Sequence, residues 1–193
     1  MSTAAPRNPS IAGLAAAMLE APARCGATRV VLIDGPAGSG KTTLAERLGK
    51  ALGAQVVHAD DMYEGWTGLP VLWDILGKRI LEPLSRGEKA GFEGWDWAAS
   101  ARAERIDVLA ADAVVIEGVG VAQRAARKHA SLVLYVDAPW PERLARGVAR
   151  DGESMRAQWE VWQCAEEEFL NAEGTLQASD VVVDGLAPVP DAW

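Results

Sequence analysis

The stretch Gly35-Pro36-Ala37-Gly38-Ser39-Gly40-Lys41-Thr42 combines glycines, one lysine and one hydroxyl side chain at the spacing G-x-x-x-x-G-K-[ST]. The chemistry this suits is phosphate binding. Glycines let backbone N–H groups turn inward around phosphates, and a helix that opens at the lysine adds the positive end of its dipole. Lys41 then reaches the β- and γ-phosphates of a nucleoside triphosphate, while the Thr42 hydroxyl ligates Mg2+. The expected nucleotide contacts are Gly35, Ala37, Gly38, Ser39, Gly40, Lys41, Thr42 and Thr43. Neither an N-K-x-D guanine-reading tetrapeptide nor an L-S-G-G-Q string occurs in the sequence, which sets the chain apart from switch GTPases and transporter ATPases and leaves ATP as the expected nucleotide.

Two further segments carry carboxylates that such a loop can use. His58-Ala59-Asp60-Asp61-Met62-Tyr63 ends an apolar run, and a carboxylate there can accept a proton from an attacking hydroxyl, ligate the metal, or cap the next turn. Successive residues at a strand end point to opposite sides, so only one of Asp60 and Asp61 is expected to face the loop. Val114-Val115-Ile116-Glu117 delivers Glu117 to the same edge, where it can hold Mg2+ through water. Arg143, Arg146 and Arg150 recur at i, i+3 and i+7 and place three guanidinium groups along one helix face. Such a stripe can grip a transferring phosphoryl group, or serve as a solvated face paired with Glu142 and Glu153.

The elements that must position these groups follow from the apolar pattern. Continuous apolar runs at 29–33, 55–59, 113–116, 132–136 and 180–183 predict strands buried on both faces, as in a parallel sheet covered by helices. Helical periodicity marks 44–52, stopped by Gly53, and helices are expected near 70–86, 100–110, 121–130, 141–150 and 154–171. Ser10 reads as the N-cap of a helix carrying Ile11, Leu14, Ala15, Met18 and Leu19 on one face; the same stretch, followed by Ala21-Pro22-Ala23, also fits a short secretory signal. The alternation predicts an α/β three-layer sandwich of the P-loop NTPase type around a five-stranded parallel sheet, with ligands at the carboxyl ends of its strands.

With 193 residues, the chain is the size of one domain, expected to span 1–193 with a loose tail over 1–9, an acceptor-covering segment over about 62–100 and a short lid over about 140–153. A net charge of −8 without any basic run argues against nucleic acid, and no stretch approaches a membrane span. Cys25 and Cys164 have no metal or redox spacing and read as reduced thiols in a cytoplasmic protein; the sequence is compatible with a homodimer. Eight tryptophans outnumber the tyrosines and phenylalanines together, and Trp66, Trp73, Trp95 and Trp97 fall in the segment expected to cover the acceptor. One or two of them are expected at the site, as flat apolar walls. Met155, Trp159, Trp162, Glu166 and Phe169 form a 4-3-4-3 stripe whose single carboxylate needs a partner, expected to be an arginine.

Taken in order, these motifs resemble the uridine kinase branch of the small P-loop kinases, which also includes nicotinamide riboside and pantothenate kinases. The likeness runs from about residue 29 to 185. Asp60-Asp61-Met62-Tyr63 is similar to the family's D-[SD]-F-[YF], Glu117-Gly118 to its E-G, Arg143 through Asp151 to its arginine-bearing lid helix, and Ser179 through Gly185 to its closing strand. The resemblance implies a nucleoside/nucleotide kinase-like fold and transfer of the γ-phosphoryl group of Mg-ATP to a hydroxyl of a small, nucleoside-like acceptor. It implies Asp60 as catalytic base, Thr42, Asp60 and Glu117 around the metal, and Lys41, Arg146 and Arg150 on the transferring group, with Arg143 on the nucleotide. Asp60, Tyr63, Trp95 and Asp96 would position the acceptor. Trp95-Asp96-Trp97 resembles the family's Y-D-W segment, but Ala98-Ala99-Ser100-Ala101 follows where relatives carry a base-reading histidine. Other acceptors on the same fold, or a slow ATP-hydrolysing switch, are the competing readings. Lys41→Ala should abolish ATP-dependent turnover while leaving the folded structure intact; undiminished turnover, measured as ADP release, contradicts the phosphate-loop assignment.

Overall fold

The computed structural model describes residues 8–192. In chain order its elements are α1 (Ile11–Glu20), β1 (Arg29–Asp34), α2 (Lys41–Leu52), β2 (Gln55–His58), α3 (Leu72–Ile75), α4 (Glu82–Ser85), β3 (Ala90–Asp96), β4 (Ala101–Val108), β5 (Ala113–Glu117), α5 (Arg124–Arg127), β6 (Leu132–Asp137), α6 (Trp140–Asp151), α7 (Arg156–Glu173) and β7 (Val181–Asp184). Five strands form one parallel sheet in the order β2-β5-β1-β6-β7. Its strands are those expected from the apolar runs, because residues on both faces are buried. Val31, Ile33 and Val115 face α1 and α2, while Val30, Leu32 and Ile116 face the opposite layer. β1 lies at the centre, and β5 sits between it and β2. The loop that leaves β1 therefore opens over the crevice where sheet order reverses, the usual ligand position in open α/β sheets.

Register places chemistry at the carboxyl edge. Glu117 is paired with Ile33 on one side and His58 on the other, and Asp34 with Tyr135. Asp34 is fully buried and accepts N–H bonds from Gly35 (2.7 Å), Gly120 (2.8 Å) and Ala122 (2.7 Å). It thus ties the start of the phosphate loop to the loop after β5. Burial pushes its carboxyl up to about 6, against the pull of these amides and Lys41.

Ser10 caps α1 as expected, its hydroxyl accepting from Gly13 N at 3.1 Å. Ile11, Leu14 and Met18 pack into the core. The expected tail over 1–9 lies outside the described residues through residue 7, but Asn8 is buried and no loose end. Its amide donates to Asp184 O (2.9 Å) and accepts from Asp184 N (2.8 Å). The backbone N–H groups of Ile11 and Ala12 donate to Pro190 and Asp191, so the C-terminal segment closes the open end of α1.

The segment between β2 and β5 departs most from expectation. Residues 69–85 are helical but change winding, with a π-helical turn over Leu76–Leu81. The helix expected near 100–110 is instead β4, paired antiparallel with β3 in a separate hairpin. Its alanines, arginines and glutamate have good helix propensity, but the apolar faces of Ala90, Phe92 and Val108 find their burial against the helical arm as a ribbon. The hairpin turn leaves Ser100 at φ +50°. The helix expected near 121–130 shrinks to α5.

α6 and α7 cross closely because Gly147 lets the Trp159 ring lie against the α6 backbone. A Cβ at Gly147 would come within 2.4 Å of Trp159 Cε2. Gly147→Ala should therefore destabilise the protein by about 1–2 kcal/mol by overpacking, although alanine alone favours a helix by about 1 kcal/mol. A urea midpoint that rises instead of falling contradicts this packing.

Candidate active site

The phosphate loop is shaped by contacts on its outer side. Gly35 (φ +130°) passes so close to β6 that a Cβ would lie 2.2 Å from Val136 O, and Gly38 (φ +79°) meets the α6 backbone in the same way at Arg143 O, 2.7 Å. Side chains are thereby excluded from both positions. Between them, the peptide of Ala37 is held from two sides: its N–H donates to Glu166 Oε2 (2.8 Å) and its carbonyl accepts from Arg143 Nη1 (3.3 Å). Gly40 starts α2 in a left-handed conformation with no side-chain cap, which leaves the first-turn N–H groups of a 12-residue helix for an anion. The Ser39 hydroxyl is buried in the loop without a protein partner, and Lys41 Nζ donates to Pro36 O at 2.9 Å. An orphaned hydroxyl, a buried lysine and uncapped amides fit a polyphosphate.

Thr42 Oγ1 donates to Glu117 Oε1 at 3.2 Å, and the same oxygen meets His58 Nδ1 at 2.7 Å. Glu117 holds the His58 imidazole above its ordinary pKa. The oxygen donors of Thr42, Glu117 and Asp60 fit Mg2+, a hard cation that takes few protein ligands and completes its shell with phosphate and water.

Beyond β2 the chain turns into a 3-10 helix over Ala59–Asp61, which corrects the expectation of opposite-facing aspartates: Asp60 and Asp61 both line the same cavity of about 910 Å3. Their surroundings differ. Asp60 is in the field of Lys41 and Arg150, Asp61 in that of His58. The Asp60 side chain is open to water in the cavity yet enclosed by protein on most sides, and burial followed by repulsion from Glu117 pushes its carboxyl above the ordinary range.

At the far wall stand indoles. Trp66 lies near perpendicular to Trp97, Trp159 and Trp162, at interplanar angles of 72°, 73° and 77° and centroid distances of 5.6–6.0 Å. Trp66 and Trp97 come from the segment where one or two tryptophans were expected at the site; Trp159 and Trp162 come from α7, where the sequence showed them only as members of the apolar stripe around Glu166. Tyr63 reaches the cavity with its ring alone, because its hydroxyl is buried and donates to Val119 O at 2.6 Å. Trp95 and Asp96 do not line the cavity. Asp96 Oδ1 caps the hairpin turn by accepting from Ala98 N (2.8 Å) and Ala99 N (2.9 Å), and the Trp95 ring lies under Arg102 at 5.5 Å. Both belong to the hairpin and not to an acceptor site.

The arginine stripe is divided in the same way. α6 lies against the phosphate loop, so Arg143 points inward, is buried, and pairs with Glu166 (2.5 Å), also donating to Ala138 O (2.9 Å). It braces the loop and does not line the cavity, contrary to the expectation of a nucleotide contact. Glu166 has the arginine partner its apolar stripe demanded. Arg146 donates to Gly38 O (3.0 Å) and Gly185 O (3.1 Å) at the cavity edge. Arg150 lines the cavity with its guanidinium bidentate on Asp151 (2.8 and 3.1 Å) and 5.4 Å from the Trp159 ring centre.

A family model described as the AAA ATPase domain matches residues 6–181. The chain belongs to that family. Among solved structures it is similar to one described as a possible uridine kinase from Bacillus stearothermophilus, with a TM-score of 0.65 and 25% identity over 90% of this chain and 97% of the other. Within the P-loop NTPases, this AAA-family domain thus has the fold of the uridine kinase-like branch. Two curated relatives share its sequence more locally. A tRNA dimethylallyltransferase from Caulobacter sp. (strain K31) is 35% identical over 106 residues, 51% of this chain and 34% of that protein. A cytidylate kinase from Natronomonas pharaonis is 29% identical over 126 residues, 65% of this chain and 60% of that protein. The chain therefore spans less than two thirds of the length of either relative. Among the described residues of this AAA-family domain, no helix is long and apolar enough to cross a membrane.

Sequence reasoning passed over two residues at this edge. Asp34 is the last residue of β1, and its signal was an acid at the end of a fully apolar run; His58 stands in the motif before Asp60. Glu166→Gln should cost about 3 kcal/mol of stability, because it leaves Arg143 buried without its charge partner and turns an N–H toward one of three donors. It should also weaken ATP binding through the Ala37 peptide. A denaturation midpoint and an ATP affinity both equal to wild type contradict this role.

Proposed function

We propose that the chain is an ATP-dependent phosphotransferase that moves the γ-phosphoryl group of Mg-ATP onto the hydroxyl of a small molecule. One observation carries the reading. A carboxylate, Asp60, stands in the same cavity as the phosphate loop, in the field of Lys41 and Arg150, with an aromatic wall beyond it. A nucleotide switch has no need of a carboxylate and an aromatic wall in the cavity beyond its phosphates. An acceptor does.

In this reading the loop amides, Ser39 and Lys41 hold the phosphates, and the Thr43, Arg47 and Gly185 side of the cavity takes the rest of the nucleotide. Thr42 and Glu117, with Asp60 beside them, would hold Mg2+, which supplies charge neutralisation for the phosphate oxygens. Asp60 accepts the proton of the acceptor hydroxyl. Its raised pKa suits the task, since a more basic carboxylate gives a larger driving force for taking the proton. Arg146 and Arg150 at the cavity edge are placed for the phosphates, and the end of α6 with the turn after it forms the short lid over them. The resemblance and the uridine kinase-like fold support a nucleoside-sized acceptor; neither identifies it.

Asp60→Asn should lower acceptor-dependent kcat by about 10²- to 10⁴-fold with ATP affinity retained, whereas Asp61→Asn should lose far less. Because only the ionised carboxylate is a base and burial raises its pKa, wild-type activity should fall on acidification at a higher pH than an ordinary aspartate allows. ADP release and ATP affinity measured on both variants decide the matter. If Asp61→Asn is the inactive variant, the base is misassigned; if neither loses turnover, the carboxylate mechanism is wrong and a slow ATPase switch is favoured.

A further inference from the structure

The acceptor end of the cavity has an unusual chemical character. Four of its five aromatic side chains have spent their donors on the protein: Tyr63 Oη on Val119 O, Trp97 Nε1 on Asp60 O (3.0 Å), Trp159 Nε1 on Asp151 Oδ2 (2.9 Å) and Trp162 Nε1 on Glu166 Oε2 (2.9 Å). These four rings present π-faces and edges to a ligand, not N–H or O–H groups; the fifth, Trp66, keeps one indole N–H without a protein acceptor among the described residues. The charged groups here are Asp60, Asp61, Glu117 and Asp151 against Lys41 and Arg150; with Glu117 and Asp60 assigned to Mg2+ and Asp151 paired with Arg150, Asp61 is the carboxylate left to face an acceptor. Of those two cations, Lys41 belongs to the phosphate loop and Arg150 is already bidentate on Asp151.

Such a wall discriminates between ligand classes. A pyrimidine ring carries several acceptors that a single indole N–H cannot satisfy, and leaving the others unpaired costs affinity. An acceptor bearing a phosphate or carboxylate meets Asp61, and both nearby cations are committed elsewhere. A cation meets the reverse, because indole faces carry the negative lobe of the ring quadrupole and attract ammonium or pyridinium groups, most strongly when water is excluded. The wall shows this affinity internally, with the Arg150 guanidinium 5.4 Å from the Trp159 ring centre. That leaves Trp66 and the partly exposed Trp97, held nearly perpendicular at 72°, as two walls of a corner beside the Asp60–Asp61 turn.

We propose that the acceptor is a small organic cation carrying a hydroxyl group, its charged head seated in the corner of Trp66 and Trp97 near Asp61 and its hydroxyl directed to Asp60. This assignment rests on the phosphotransfer reading given above. The acceptor oxygen forms a bond to the γ-phosphorus of ATP as the bond from that phosphorus to the β,γ-bridging oxygen breaks. The bond's electron pair leaves on ADP, and the hydroxyl proton passes to the Asp60 carboxylate. The product is a phosphomonoester whose cationic head remains among the carboxylates.

The test uses pairs of alcohols that share shape and differ in charge: choline against 3,3-dimethylbutan-1-ol, and 1-(2-hydroxyethyl)pyridinium against 2-phenylethanol. Binding is read by quenching of tryptophan fluorescence in the full chain with a non-hydrolysable Mg-ATP analogue, and turnover by ADP release with Mg-ATP. At least one cation should bind about tenfold or more tightly than its neutral partner, and should stimulate ADP release where the partner does not. Trp66→Leu, which keeps apolar bulk, should erase the charge preference, while Trp66→Phe should keep most of it. Equal or tighter binding of the neutral members, or saturable binding of uridine with none by either cation, overturns the proposal. Lys41-dependent ADP release stimulated only by neutral alcohols overturns the cation assignment and leaves phosphotransfer standing. Cation binding without any acceptor-stimulated ADP release overturns the phosphotransfer reading and, with it, the acceptor role of the cation.

Discussion

The Glu166 carboxylate is fully buried, and everything around the phosphate loop is arranged to satisfy it. A charge removed from water must find donors, or the fold that buries it is not stable. Glu166 finds three, each on a different part of the molecule: Arg143 on α6, the Ala37 amide in the loop, and the Trp162 indole on its own helix α7. Arg143 returns to the Ala37 carbonyl. One carboxylate therefore holds the loop peptide, orients the helix that bears Arg146 and Arg150, and fixes the angle of an indole in the aromatic wall. The phosphate-loop end and the aromatic end of the cavity share a single brace, so the loop is preorganised by packing and owes little to its own sequence beyond the glycines.

A second carboxylate does related work on the sheet side. Asp34 gathers the amides of Gly35, Gly120 and Ala122, joining the exits of β1 and β5 so that Thr42 and Glu117 stand within hydrogen-bond distance. An acidic chain of net charge −8 can in this way present backbone donors and a few convergent cations to a polyphosphate while carboxylates such as Asp34 and Glu166 are used for bracing. The division of the cavity follows from the same economy of charge: donors cluster at the loop, and π-faces and carboxylates cluster beyond Asp60.

The five strands and the phosphate loop could be read from the sequence because their physics is local. A strand buried on both faces must be apolar throughout, and a phosphate loop must place its glycines and lysine at fixed offsets. What could not be read depends on which surface meets which. Arg143, Arg146 and Arg150 share a stripe by spacing, but only the docking of α6 on the loop sends Arg143 inward to Glu166. Asp96 has the right side chain for an acceptor site and the wrong place, since the hairpin that carries it was hidden in a segment of helix-favouring residues. Tyr63 was read as part of the pocket by its motif, and its ring does line the cavity; what the motif could not show is that its hydroxyl is taken by Val119, a contact set by the loop after β5. Asp60 and Asp61 were separated by strand geometry, whereas the chain has already turned into a 3-10 helix there, and only the neighbouring charges tell them apart.

The central claim is that the phosphoryl group leaving ATP in this cavity is delivered to an alcohol and not to water. The most direct measurement follows the label from ATP carrying ³²P at the γ position, incubated with the protein and a mixed pool of small alcohols and separated by charge and size. The account predicts label in an organic phosphomonoester, formed only with the alcohol pool present and absent in Lys41→Ala. Label recovered solely as inorganic phosphate, at a rate indifferent to the pool, would contradict it.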